Sequence, residues 1–206
     1  VTRGLADFFL FPEDEPEQVA DLVVDIVANR LPRRFGLDPT RDVQVLCPMH
    51  RGPAGAGVLN ERLQAALTPA RDGLAERRFG GRVYRVGDKV MQIRNNYDKG
   101  TAGVFNGSVG VITALSLEDS ELRVLLDEDE EVGYGFDELD ELTHAYAVSI
   151  HRSQGSEYPC VVVPVTTSAW LMLQRILLYT AVNVSLAVWL LKGFIDEIPR
   201  EYEEAA

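Results

Sequence analysis

The stretch Val43–Leu67, VQVLCPMHRGPAGAGVLNERLQAAL, decides the fold class of this 206-residue chain. Val43–Cys47 is a short apolar run ended by Pro48, the pattern of a strand buried on both faces. Met49–Gly57 is a glycine-rich turn. From Val58 to Leu67 the residues Leu59, Leu63, Ala66 and Leu67 recur on one side of a helix. Strand, turn and helix in that order predict a parallel α/β sheet. Upstream, Val19, Leu22, Val23, Ile26, Val27 and Leu31 repeat at helical spacing. The acids of Glu13–Glu17 suit the positive end of that helix, and Pro32 is expected to stop it.

Downstream of Pro69 the texture changes. Short strands are predicted at Arg82–Val86, Lys89–Ile93, Gly110–Leu115, Leu122–Leu126 and Val132–Phe136, with a turn at Asn106-Gly107. A run of short strands without helical periodicity predicts a small, strongly bent β barrel. After Asp140 the α/β texture returns: Thr143–Ile150 is read as helical, Cys160–Pro164 as a buried strand and Trp170–Val182 as a helix. The barrel is therefore expected as an insertion in an α/β domain. The predicted division is 1–78 and 142–206 for the α/β part and 79–141 for the barrel, with an atypical tail after 183.

Composition excludes a disordered or fibrous chain: 46% of residues are hydrophobic and 25% charged. Cys47 and Cys160 both lie in apolar strand-like runs, which predicts buried reduced thiols and, with no signal peptide in evidence, a cytoplasmic setting. The uncharged run Ile176–Leu191 is too short for a membrane span and is interrupted by Asn183 and Ser185. The net charge of −12 is concentrated in 118–141, where twelve acids face Arg123 alone. That segment is expected to be a solvated face. Residues 71–99 carry eight basic and four acidic side chains, which form either a solvated face or a local field that attracts phosphate despite the total.

Neither a G-x-x-x-x-G-K-[ST] phosphate loop nor a G-x-S-x-G elbow occurs, and His50, His144 and His151 are not at metal-ligand spacing, so no metal site is expected. Three clusters remain. His50-Arg51 follows a strand at the sheet edge where α/β folds bind ligands, and Arg51 either reaches a phosphate or supports the turn. Val86–Tyr97 with Val104–Gly107 combines charge, amides and aromatics. Tyr97 and Phe105 either stack on bases, with Lys89 and Arg94 near the backbone, or belong to the barrel core. The third, Thr143–Pro159, packs His151, Arg152, Ser153, Gln154, Ser156 and Glu157 around Gly155 after the predicted helix, which a core does not explain.

Ala147–Pro159 resembles motif V of superfamily 1 DNA helicases. With Val45–Gln64 and Val86–Gly110, the chain up to about Val182 resembles the C-terminal motor half of ATP-dependent RecD-like DNA helicases, relatives of the exodeoxyribonuclease V alpha subunit. The resemblance implies a RecA-like parallel-sheet domain, the second motor domain of a P-loop NTPase, interrupted by a Src-homology-3-like barrel. It also implies 5′-to-3′ translocation on single-stranded DNA, with ATP and Mg2+ held between two motor domains. By it, His50 and Arg51 fall at a phosphate-backbone contact, and His151, Ser153 and Gln154 line the DNA track. Asn106 and Gly107 close the barrel's DNA-side edge near Arg94, and Gly155 and Glu157 face the nucleotide. The phosphate loop and magnesium aspartates belong to a first motor domain that this sequence does not contain. Where the family carries the Thr-Arg-Ala-Arg of motif VI, Asn183, Val184, Ser185 and Leu186 stand instead. Such an arginine stabilises charge on the transferred phosphoryl group and is worth about 10³–10⁵ in rate. The expectation is a DNA-gripping helicase part, without catalytic residues of its own and inactive alone, partnered by single-stranded DNA and a missing motor domain or companion chain. The alternative is a non-catalytic module that docks a protein, or DNA, at the barrel.

Overall fold

The computed structural model describes residues 8–126, 130–153, 156–166 and 187–191. The chain divides into two compact units, one of 1–59 with 148–206 and one of 60–147.

The first unit is built on a parallel sheet. Its strands are β1 (Phe8–Leu10), β2 (Val43–Cys47), β10 (Ala147–Ser149), β11 (Cys160–Val165) and β12 (Ala187–Leu191), in the order β1-β12-β11-β2-β10. β2 lies parallel to β11, with Val43 opposite Cys160 and Val45 opposite Val162, and β12 lies parallel to both β11 and β1. Every residue of β2 and β11 is buried, as a strand covered on both faces requires. Cys47 and Cys160 are free and buried, and burial pushes the Cys160 thiol up to about 12. The helix predicted from Val19 is present as α1 (Pro16–Asp25), with Val19, Ala20 and Val23 inward, but Pro32 does not end it. A π turn at Ile26–Arg30, closed by the Leu31 N–H on the Ile26 carbonyl, leads into α2 (Leu31–Phe35). Pro32 falls in the first turn of α2, where a missing N–H costs little. Gly36, at φ 70°, makes the stop.

The second unit begins inside α3 (Ala56–Leu67), whose residues from Asn60 onward belong to it. A hairpin of β3 (Glu76–Phe79) and β4 (Arg82–Arg85) precedes an antiparallel sheet. That sheet comprises β5 (Lys89–Gln92), β6 (Val109–Ser116), β7 (Glu121–Leu126), β8 (Glu131–Gly135) and β9 (Leu142–His144), in the order β8-β7-β6-β5-β9. β6 carries a bulge between Ile112 and Ala114 that bends the sheet. Tyr84 of the hairpin joins Val90, Ile112, Leu122, Val124, Tyr134 and Leu142 in one core, and its hydroxyl donates to the Leu142 carbonyl at 2.9 Å. The result is the small, bent β body expected from the strand spacing.

Four expectations change here. Thr143–Ile150 is not a helix: β9, the link Ala145-Tyr146, β10 and a 3-10 turn (Ile150–Ser153) occupy it. Leu142 and His144 point inward with Thr143 between them, a period of two fixed by antiparallel pairing with β5. The compact unit reaches 60 and 147 rather than 79 and 141, because Asn60 ties both ends together. Its amide donates to the Ala147 carbonyl at 2.7 Å and accepts the Ala147 N–H at 3.0 Å. Lys89 is buried at 3% exposure and does not face a phosphate. The acidic segment is no mere solvated face, since several of its carboxylates hold a loop of the barrel. The predicted helix Trp170–Val182 and the motif VI positions 183–186 lie outside the described residues.

The second unit also contains a buried charge site with no counterpart in the sequence reading. Asp88 is 0% exposed. Its Oδ2 accepts the Arg85 N–H at 2.8 Å and the Gln64 amide at 2.7 Å. Its Oδ1 accepts the Thr68 hydroxyl at 2.5 Å and the Tyr146 hydroxyl at 3.0 Å. His144 Nε2 stands 3.3 Å from Oδ2, and its ring stacks between Tyr84 and Tyr146. Several donors on one carboxylate offset its desolvation. Asp88→Ala leaves those buried donors unanswered. The expected loss is about 3–5 kcal/mol of unfolding free energy in urea titration, whereas Asp119→Ala on the exposed β6–β7 turn is expected to change it by less than about 0.5 kcal/mol.

Candidate nucleic-acid interface

In the first unit, His50 and Arg51 stand where β2 ends. β2 and β11 are parallel, so Pro48 and Met49 share the carboxyl edge of the sheet with Pro164 and Thr166. Together with Pro16, Arg51 and Pro53 they line a shallow depression there. The loop closes on the start of α3 in a specific way. The N–H groups of Ala56 and Gly57 donate to the carbonyls of Met49 and His50 at 3.1 Å each. A Cβ on Gly55 would sit 2.5 Å from the Arg51 carbonyl oxygen, so only glycine permits this closure. These amides are therefore spent on the loop, and the group left to meet an anion is the Arg51 side chain, which is exposed and has no ion-pair partner among the described residues. His151 and Arg152 are exposed on the 3-10 turn, whose element contacts β2. Ser153 is buried at 6% exposure and donates its hydroxyl to the Ile150 carbonyl at 2.9 Å, holding the turn instead of facing outward. Glu157 is exposed; Gln154 and Gly155 lie outside the described residues.

In the second unit, Arg94, Asn106 and Gly107 belong to the loop between β5 and β6. The Phe105 carbonyl accepts the Ser108 N–H at 3.0 Å, with Gly107 at φ 100°, a turn that needs glycine at its third position. Asn95 Oδ1 accepts the Asn106 N–H at 2.8 Å, and Asn96 and Val104 exchange two backbone hydrogen bonds. Phe105 is 46% and Tyr97 72% exposed, which removes both from the core they were weighed against. Acidic residues anchor the loop from below. Asp140 pairs with Arg94 at 2.8 Å, Glu138 with Lys99 at 2.8 Å, Glu141 accepts from Asn96, and Glu130 from the Thr101 N–H. Charge summed over segments does not reveal this clamp, because each acid pairs with a residue some 30 to 45 positions away.

Burial raises the Glu138 carboxyl, but hydrogen bonds from Lys99 and the Gly135 N–H outweigh it and leave the group below its ordinary 4.5. Its stabilisation is therefore present above about pH 4.5 and lost as the pH falls through the lowered folded value. Acid unfolding followed by fluorescence is expected to show this loss below pH 4.5, and Glu138→Gln to flatten it.

Residues 59–126 match the ATP-dependent RecD-like DNA helicase SH3 domain, and residues 144–182 the UvrD-like helicase C-terminal domain. The chain is 38% identical over 141 residues to the ATP-dependent RecD2 DNA helicase of Deinococcus radiodurans, a match covering 68% of this chain and 18% of that protein. It is 29% identical over 178 residues to the RecBCD enzyme subunit RecD of Mycolicibacterium smegmatis, covering 83% of this chain and 30% of that one. Among solved structures, Bacteroides Pif1 bound to ssDNA aligns with a TM-score of 0.49 at 18% identity, over 95% of this chain and 55% of that one. The chain thus spans less than a third of either curated relative.

Proposed function

The chain belongs to the RecD-like DNA helicases of superfamily 1, and from that premise we propose that it is the C-terminal part of an ATP-dependent 5′-to-3′ motor and holds the single strand. The observation that carries this reading is the corner of the first unit. There an exposed arginine without an ion-pair partner among the described residues stands at the carboxyl edge of a parallel sheet, with His50 beside it and His151 and Arg152 exposed on a turn that contacts the same strand. Cations of this kind meet phosphates whatever the sequence, so they give register on the strand without base preference. Gln154 is assigned to the same surface by the resemblance. Ser153 acts by fixing the turn that carries His151 and Arg152. Arg94, Asn106 and Gly107 are assigned to the barrel's share of the strand by the resemblance, Arg94 with its charge taken up by Asp140.

The residues present do not by themselves fit ATP with its metal ion. The first amides of α3 are spent on loop carbonyls, and no group of three His, Cys, Asp or Glu among the described residues could hold a metal. What this chain offers the nucleotide is Glu157, with Gly155 by resemblance. The triphosphate and Mg2+ are left to a first motor domain, and the chain alone is expected to hydrolyse no ATP.

Fluorescence anisotropy with a labelled thymidine oligomer tests the reading. The chain is expected to bind it with an affinity that falls linearly in log salt. Arg51→Ala is expected to weaken binding several-fold and to lower the salt slope by about 0.7, one phosphate contact on a single strand. No binding at low salt, or an unchanged slope in the variant, contradicts the assignment.

A further inference from the structure

We infer that the loop between β5 and β6 holds unpaired bases, not phosphates: Tyr97 and Phe105 form a stacking platform on a surface whose cations are already neutralised. This rests on the single-strand reading above and specifies what part of the strand the barrel takes.

The geometry is that of a platform prepared in advance. The two rings lie 5.9 Å apart at 80°, edge to face, on the two sides of the Asn96–Val104 bridge. Gly103, at φ 89°, lets the returning strand of the loop come within van der Waals reach of both. A Cβ there would lie 3.2 Å from the Tyr97 Cα and 3.7 Å from Phe105 Cζ. Asn95 and Asn106 are exposed beside them, with the Asn95 side-chain Oδ1 taken by the Asn106 N–H. Two large aromatics this exposed, on a loop this well tied, carry no core function; they present ring faces at little ordering cost.

Charge then decides between base and backbone. The loop's cations are Arg94 and Lys99, and each sits on a carboxylate. Lys99 also donates to the Gly133 carbonyl and lies 4.5 Å over the Tyr134 ring. Asp98, Glu130, Glu138, Asp140 and Glu141 outnumber them. A phosphate arriving here meets net negative charge, whereas a base brings a neutral π face that stacks on an aromatic whatever its identity. A paired base has its faces buried in the duplex, so the platform favours single strands over double.

The test compares a thymidine oligomer with an abasic oligomer of the same length, across a salt series, using the full chain. Tyr97→Ala with Phe105→Ala is expected to weaken thymidine binding about tenfold, to leave abasic binding unchanged and to leave the salt slope unchanged. Tyr97→Phe is expected to retain affinity and Tyr97→Leu, which keeps apolar bulk, to lose it, so the inference stays testable if the double variant unfolds. Asp140→Asn, which frees Arg94, is expected to steepen the slope by about 0.7. Equal loss on both oligomers, a reduced slope in the aromatic variants, or unchanged thymidine binding overturns the inference; the last outcome assigns the rings to a protein partner. Failure of the unaltered chain to bind either oligomer sinks the single-strand reading itself, which separates the two.

Discussion

The second unit is organised around one buried carboxylate. Asp88 draws donors from the last turns of α3, from β4, and from the segment that returns after β9. These elements are far apart in sequence, and the aspartate is what they have in common. An aspartate placed in water would interact weakly with any of them. In the interior each hydrogen bond strengthens, and each missing one becomes costly. The network thus specifies one arrangement of helix, hairpin and sheet, where apolar packing alone tolerates several. The loop with Tyr97 and Phe105 emerges from β5, which starts at the residue after Asp88.

A second constraint runs through both surfaces: backbone and charge are consumed internally before any ligand arrives. In the first unit the turn after β2 satisfies the first amides of α3 and leaves Arg51 outside. In the second, carboxylates take up Arg94 and Lys99 and leave the rings outside. On the proposed reading the two surfaces take different parts of a nucleic acid strand, the first its phosphates and the second its bases. The total charge of −12 is compatible with DNA binding because much of the excess acid is spent holding a loop or lies away from Arg51 in sequence.

The parts of the fold legible in the sequence were those fixed by local pattern. Val43–Cys47 and Cys160–Val165 are short runs dominated by apolar residues, and the hairpins of β6, β7 and β8 announce themselves by alternation and turn residues. The segment Thr143–Ile150 was not legible, because its small and apolar residues satisfy a helical and an extended period alike, and pairing with β5, some 50 residues away, decides between them. Pro32 misled because a π turn places it in a first turn instead of an interior. Asp88 shows in the sequence only as one of the four acids of 71–99, its partners Gln64 and His144 lying 24 and 56 positions away. Of the candidate site, the exposure of Arg51 and His151 and the Asn106-Gly107 turn were readable from residue type. The inward turn of Ser153 and the burial of Lys89 were not, since both depend on packing.

The division of labour between the two surfaces is tested most directly by amide hydrogen exchange on the chain with and without a saturating thymidine oligomer. The account predicts slowed exchange at 48–57 and 150–153 in the first unit and at 93–107 in the second, with the first pair alone losing its protection as salt is raised. Protection confined to other segments, or loss of all three together with salt, would contradict it.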